Sequence, residues 1–375
     1  MIDRPQDRFW VTPEQKLMLT AALCDGDTAL AAWHAWRRAV DGRALDAASL
    51  RLAGLLRENM LRLGVEDPIL SGMKDDFRLS WYHNQQLLHR LRAVLTKLHA
   101  AGIAVILLKG CHLAVSYYDN IALRPMADLD ILVRYRDWPQ VMAVLTGDGW
   151  EPVMPIQGPP LRDPLASGCN AVALSKDGVE LDVHGSPFHE CLDPEPLEPL
   201  WAAAVPVDLG GVTALGLGAA DLMVHGFAHG VRMNVVGPIR CVADAVMILR
   251  REPEFDWDRL ALTTLRLGLR APVLAGLAVL AELMPDRVPP QIQARLCATP
   301  PSLVERIEWY ARSRDGLQGP GVRFGIVARL TSGLPLHRRL PASLTLLRSI
   351  FGARNLADTA WIGLRKTLKM LRHLV

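Results

Sequence analysis

Apolar positions recur every three to four residues along the first hundred residues, which predicts helices over about 28–40, 45–63 and 71–100. An earlier helix start is written at Thr12-Pro13-Glu14-Gln15: a hydroxyl cap, proline at the first helical position and a glutamine placed to close a capping box. Gly102 stops the third stretch, and there the period changes. Ile103 to Leu108 is an uninterrupted apolar run, which predicts a strand buried on both faces and ended by Lys109-Gly110. A short helix is expected at about 111–118, then a turn at Asp119-Asn120. Asp128-Leu129-Asp130-Ile131-Leu132-Val133 follows, an alternating strand with Leu129 and Ile131 on one face and both aspartates on the other.

The pattern then predicts a helix over 137–147, a short strand over Trp150 to Met154 and a loop through the Pro/Gly-rich 155–168. Two strands, Ala171 to Leu174 and Val179 to Val183, flank a turn at Ser175-Lys176-Asp177-Gly178 and complete a small mixed sheet. Helical periodicity returns at about 219–232, 238–250, 256–267, 270–284 and 301–313. The expected fold class is α+β. An N-terminal helical region (1–100) and a C-terminal one (216–315) flank an α/β core (101–215), and a basic helical tail follows (316–375).

Composition narrows the class. With 375 residues, half of them hydrophobic, the chain is too long for a disulfide-stapled mini-domain and too apolar for a disordered one. Its six cysteines include no C-x-x-C pair and read as reduced, mostly buried thiols of a cytoplasmic protein. The N-terminus lacks the apolar run of a signal peptide, and no stretch is long enough to span a bilayer. The net charge of +3 hides an asymmetry: residues 316–375 carry ten basic side chains against one acid, Asp358, so the body is acidic. In the tail Leu364, Leu368, Leu371 and Leu374 alternate with Arg365, Lys366, Lys369 and Arg372, which suits a solvated helix face or contact with an anionic or membrane surface. The whole-chain charge gives no reason to expect DNA as a partner.

The chemistry lies around the D-x-D pair. Cα atoms two apart on a strand are about 6.6 to 7 Å apart with side chains on one face, a spacing that lets Asp128 and Asp130 share divalent cations. Asp182, opposite Leu181 in its own alternating strand, completes three carboxylates if the strands are neighbours, as metal ligand or general base. His184 leaves the same face as Asp182, for a supporting or acceptor-binding role. The Gly turn and helix start at Lys109-Gly110 can offer backbone N–H groups to phosphate oxygens, with Lys109 and Arg124 supplying positive charge.

At these residues the chain resembles a known superfamily. Leu108-Lys109-Gly110, Tyr117-Tyr118, Arg124-Pro125-Met126-Ala127-Asp128-Leu129-Asp130-Ile131-Leu132-Val133 and Glu180-Leu181-Asp182-Val183-His184 look like the DNA-polymerase-β-like nucleotidyltransferases. More narrowly, they resemble the bacterial "uncharacterised nucleotidyltransferase" family, over roughly 100–250. His229 and Asp244 stand where that family tends to have a His and an Asp. The resemblance implies a nucleotidyltransferase core and transfer of a nucleoside monophosphate from an NTP such as ATP. Mg²⁺, or Mn²⁺ in its place, would be held by Asp128, Asp130 and Asp182, and the acceptor would be a peptide, saccharide or other small molecule. The wider superfamily has Gly-Ser at the phosphate turn; here Gly110-Cys111 replaces the hydroxyl by a thiol and leaves the backbone donors.

Other classes remain open on the residues alone. The same site would serve kinase-like phosphoryl transfer, a tRNA-modifying toxin would use the basic tail on an RNA backbone, and Cys111 allows a catalytically decayed binding protein. His225 and His229 share a helical face but lack the intervening Glu of a zinc protease, since Gly226 stands there.

Overall fold

The computed structural model describes residues 11–40, 45–153, 170–231 and 239–302, with isolated positions beyond. Five helices come first: α1 (Pro13–Leu23), α2 (Gly26–Val40), α3 (Ala47–Leu50), α4 (Ala53–Arg62) and α5 (Pro68–Ala100). The capping box at α1 is present in both directions, Thr12 Oγ1 accepting from Gln15 N and Gln15 Oε1 from Thr12 N, each at 3.2 Å. The predicted helix over 45–63 is two, broken at Arg51-Leu52. α5 is one rod of 33 residues, about 50 Å long. The Asp67 carboxylate caps it through Ile69 N (3.0 Å), Pro68 opens it, and Gly102, at φ +73°, ends it with Ile103 N donating back to Leu98 O.

After α5 come β1 (Ile106–Leu107), α6 (Lys109–Ser116), β2 (Leu129–Leu132), α7 (Trp138–Gly147), β3 (Glu151–Pro152), β4 (Ala171–Lys176) and β5 (Val179–His184). Then follow α8 (Glu198–Ala202), β6 (Val205–Asp208), β7 (Thr213–Gly216), α9 (Ala219–Gly230), α10 (Ile239–Arg251), α11 (Trp257–Leu267), α12 (Arg270–Leu283) and α13 (Pro290–Ala298). The seven strands form one mixed sheet in the order β3-β4-β5-β2-β1-β7-β6, within the expected α+β class. Central β1 runs antiparallel to β2 and parallel to β7, and β2 runs parallel to β5.

Several expectations are corrected in detail. The apolar run 103–108 gives only a two-residue strand; Ile103 and Val105 pack into the same core as Leu107, and Val105 O accepts from Leu215 N at the strand's entry. Asp128 lies in a bend just ahead of β2 rather than in the strand. The β6–β7 hairpin was not expected; its turn is Gly210-Gly211, both at positive φ, and it adds two strands beyond β1. Helix α13 was likewise not expected. The loop over 155–168, most of the helix expected at 301–313 and nearly all of the basic tail lie outside the described residues.

Two hydrophobic clusters divide the faces of the sheet. Leu107, Leu129, Ile131, Leu181 and Val183 pack against Leu87 to Leu98 of α5 and against Trp138, Val141 and Leu145 of α7. Ile106 and Leu132, on the other face, join a helical body in which α1, α2 and α4 share one core with α9 to α13. The N- and C-terminal helices therefore meet: Cys24 and Lys16 in the first segment reach Leu283 O and Glu282 in α12. Alternation places Asp130 and Asp182 on that second face, between sheet and helical body.

Candidate functional site

Parallel pairing of β2 with β5 sets Asp130 opposite Asp182 and Leu132 opposite His184. Neighbouring strands are about 4.8 Å apart, so two carboxylates expected from separate alternating runs face each other directly. Ligand atoms of Asp130, Asp182 and His184 all lie within 4.8 Å of one another, a compact donor group of two carboxylates and an imidazole. Asp130 is 2% exposed and its Oδ1 is doubly engaged. Lys109 Nζ donates to it, and so does His184 Nε2 at 2.9 Å, since an ionised carboxylate only accepts.

Lys109 reaches Asp130 through an unusual backbone. Its φ of +43° is in the left-handed region that side chains disfavour by about 1–2 kcal/mol, in the tight turn from β1 into α6. Gly110 next to it keeps the turn close: a Cβ there would stand 3.0 Å from Met126 Cγ and 3.1 Å from Arg124 Nη1 and would press on both side chains. Leu108, the residue before α6, offers no side-chain cap, so the first-turn N–H groups of α6 are left without one. Cys111 is 1% exposed within the sheet's core, its thiol pushed up to about 12 by burial and by the Asp130 charge. What position 111 can offer a phosphate is therefore its backbone; the side chain packs inward.

The remaining candidates sort by distance from this group. Arg124 is 4% exposed and its fork closes on Asp244, Nε to Oδ1 at 2.9 Å and Nη2 to Oδ2 at 3.0 Å, while Tyr118 Oη also donates to Oδ1 at 2.7 Å. Arg124 and Asp244, expected as a phosphate cation and a supporting acid, are thus brought to each other. Burial disfavours the guanidinium charge, but Asp244 outweighs it and fixes Arg124 as a cation. His229 lies near His225 on α9, ring centroids 6.3 Å apart and tilted by 57°.

Residues not singled out in the sequence complete the site. Asn84, fully buried on α5, donates to Ile121 O (2.6 Å) and Arg124 O (2.9 Å) and accepts from Met126 N (3.1 Å), pinning the segment that leads to Asp128. Arg240, in the first turn of α10, donates from Nη1 to Pro125 O at 3.2 Å. An asparagine on a polar helix stretch and an arginine at a helix start carry no local signal of either role.

The carboxylates are unequal. Burial pushes Asp130 up, but the His184 hydrogen bond and the Lys109 charge outweigh it and hold it well below the usual range. Asp128 is raised, by burial and then by Asp130, against the pull of Lys109, Arg240 and Arg124. Asp182 is raised to about 6, by burial and by the charge of Asp130. Two crowded carboxylates, one of them short of a counter-charge, suit a divalent cation.

Asp182 thus holds its proton more tightly in the folded chain than at the unfolded value of about 3.9. Its contribution to stability is present below about pH 4 and is lost as pH rises through about 6. Asp130 has the opposite sign, its depressed value stabilising the fold above the ordinary carboxylate range. With a chelator present, Asp182→Asn is expected to gain on the wild type by roughly 1–3 °C in Tm between about pH 4 and pH 7. A Tm difference that stays flat or shrinks over that interval counts against the crowding of Asp182 by Asp130.

A family model described as "uncharacterised nucleotidyltransferase" matches residues 45–285. That span is well over half of the chain and runs from α3 through α12, so it takes in the whole sheet and leaves out only α1, α2 and α13 among the helices named above. No curated protein sequence matches the chain. Among the described residues no helix is long and apolar enough to cross a membrane.

Proposed function

The chain belongs to the uncharacterised nucleotidyltransferase family, and from that premise we propose that it moves a nucleoside monophosphate from an NTP to a hydroxyl or phosphate of a peptide, saccharide or other small acceptor, with Mg²⁺ as the divalent ion. The observation that carries the reading is the juxtaposition of Asp130, Asp182 and His184 beside the Lys109-Gly110 turn. Bound Mg²⁺ would be held by Asp130 and Asp182 with Asp128 alongside, and would supply Lewis-acid stabilisation of phosphate charge. His184 orients Asp130 through its Nε2.

In the transfer the acceptor oxygen bonds to the α-phosphorus as the bond from that phosphorus to the bridging oxygen breaks. The electron pair leaves with pyrophosphate. Asp182, facing Asp130 across the β2–β5 pair, is the carboxylate placed to take the acceptor proton. Lys109 and the first N–H groups of α6, which no side chain caps, would serve the phosphates.

The test is a mass measurement on acceptor candidates incubated with the full chain, each NTP in turn and Mg²⁺. The expected product carries one nucleoside monophosphate, with pyrophosphate released. An adduct of a bare phosphate would replace this reading by phosphoryl transfer. Absence of NTP binding, in the presence of Mg²⁺, would leave a binding protein with a decayed site.

A further inference from the structure

Two guanidinium groups converge beside the carboxylates. Arg124 Nη1 and Arg240 Nη1 both donate to Pro125 O, at 3.4 and 3.2 Å, three residues ahead of Asp128. Asp244 sits one turn beyond Arg240 on α10, yet both its oxygens are taken by Arg124 and Tyr118. Among the described residues no carboxylate pairs with Arg240. Arg240 is only partly exposed, and it stands in the first turn of a 13-residue helix that has no acid there, at the end where the helix dipole disfavours a cation. The cost shows in its pKa, pulled down to about 10 by the Arg124 charge, then by burial, against the pull of Asp244, with Arg51 adding to the first two. Its charge and that of Asp128 act on each other, so it lies toward the carboxylates.

The Arg124 charge, burial and the helix dipole oppose this cation, and the attraction of Asp244 and Asp128, neither of them hydrogen-bonded to it, offsets them only in part, so an added anion is favoured. The Gly110 turn approaches Arg124 Nη1, and the start of α6 that holds this turn has no side-chain cap on its N–H donors. We propose that Arg240 is the guanidinium that grips the donor's phosphates beyond the carboxylates, with Arg124, locked by Asp244, as the immobile positive wall behind it. This rests on the nucleotidyl-transfer reading and adds to it the side chain that holds the outer phosphates. Charge growing on the leaving pyrophosphate would then fall on Arg240.

Arg240→Gln separates the roles, because the amide keeps an N–H donor for Pro125 O and removes the charge. The probe is inorganic tripolyphosphate with Mg²⁺, titrated calorimetrically into the full chain, with Tm measured in parallel. Tripolyphosphate affinity is expected to fall about tenfold to a hundredfold, the worth of a charged hydrogen bond. Tm should hold or rise, since the folded state disfavours this charge. A structural strut would do the reverse, and unchanged affinity with a lower Tm would overturn the proposal. Should the Gln variant fail to fold, Arg240→Lys is expected to fold and to bind several-fold more weakly, lacking the planar fork; full affinity in that variant overturns it. A wild type that binds NTP while Arg240→Gln binds tripolyphosphate as well as wild type sinks this inference alone. A wild type that binds neither sinks the nucleotidyl reading with it.

Discussion

Asp130→Asn is expected to lower nucleotidyl transfer by at least about a thousandfold while leaving the chain folded. The amide is the same size and can still accept from Lys109 and His184 on its oxygen, so the turn into α6 and the β2–β5 pairing keep their contacts. What vanishes is the negative charge that would share a divalent cation with Asp182. Loss of several kcal/mol of metal-borne charge stabilisation corresponds to three or more factors of ten in rate. Asp128→Asn should behave alike, with a milder structural effect, since Asp128 is less buried. The assay is product formation from NTP, with circular dichroism to confirm the fold; a variant transferring at the wild-type rate would remove Asp130 from the chemistry.

The largest stability effect is expected at Asp244. Asp244→Ala leaves the enclosed Arg124 guanidinium without its carboxylate and the Tyr118 hydroxyl without its acceptor. Breaking one side of a buried ion pair costs about 3–5 kcal/mol, a Tm loss of roughly 10 °C. Removing both charges in Arg124→Met with Asp244→Leu should recover much of that loss, because no unpaired ion remains. A single variant within a degree or so of wild type would mean that water or a neighbour already serves Arg124. The pair joins the segment before β2 to α10, so its loss should also weaken nucleotide binding without touching the carboxylates.

The legible parts of the fold and the illegible ones differ in how far apart the partners stand in the chain. The Thr12/Gln15 box, the Gly102 stop and the alternation around Asp130 are written within a few residues, and each is found in place. Alternation in two acidic strands puts Asp130 and Asp182 each on one polar face, but that β2 and β5 are neighbours, and hence that Asp182 stands beside Asp130, comes from the sheet order alone. The closure of Arg124 on Asp244 spans 120 residues and the Asn84 clamp about 40, and no periodicity reports such distances. For the same reason Arg124 reads locally as a spare cation, whereas its charge is already spent internally. The β6–β7 hairpin is a different case: Pro206 inside Val205–Asp208 argues against a strand, and only an edge position tolerates it.

Helix α5 has a mechanical consequence. Its first turns place Leu70 and Met73 in the helical body, and its last turns place Leu87 to Leu98 under the sheet. One unbroken rod is therefore anchored at both ends in different cores, and Asn84 near its middle grips the segment before Asp128. A hinge between sheet and helical body would have to bend this rod or tear out one anchor. The carboxylates are thus framed like a vice whose jaws are set during folding, and substrates must come and go by way of loops and side chains rather than by swinging of the two halves.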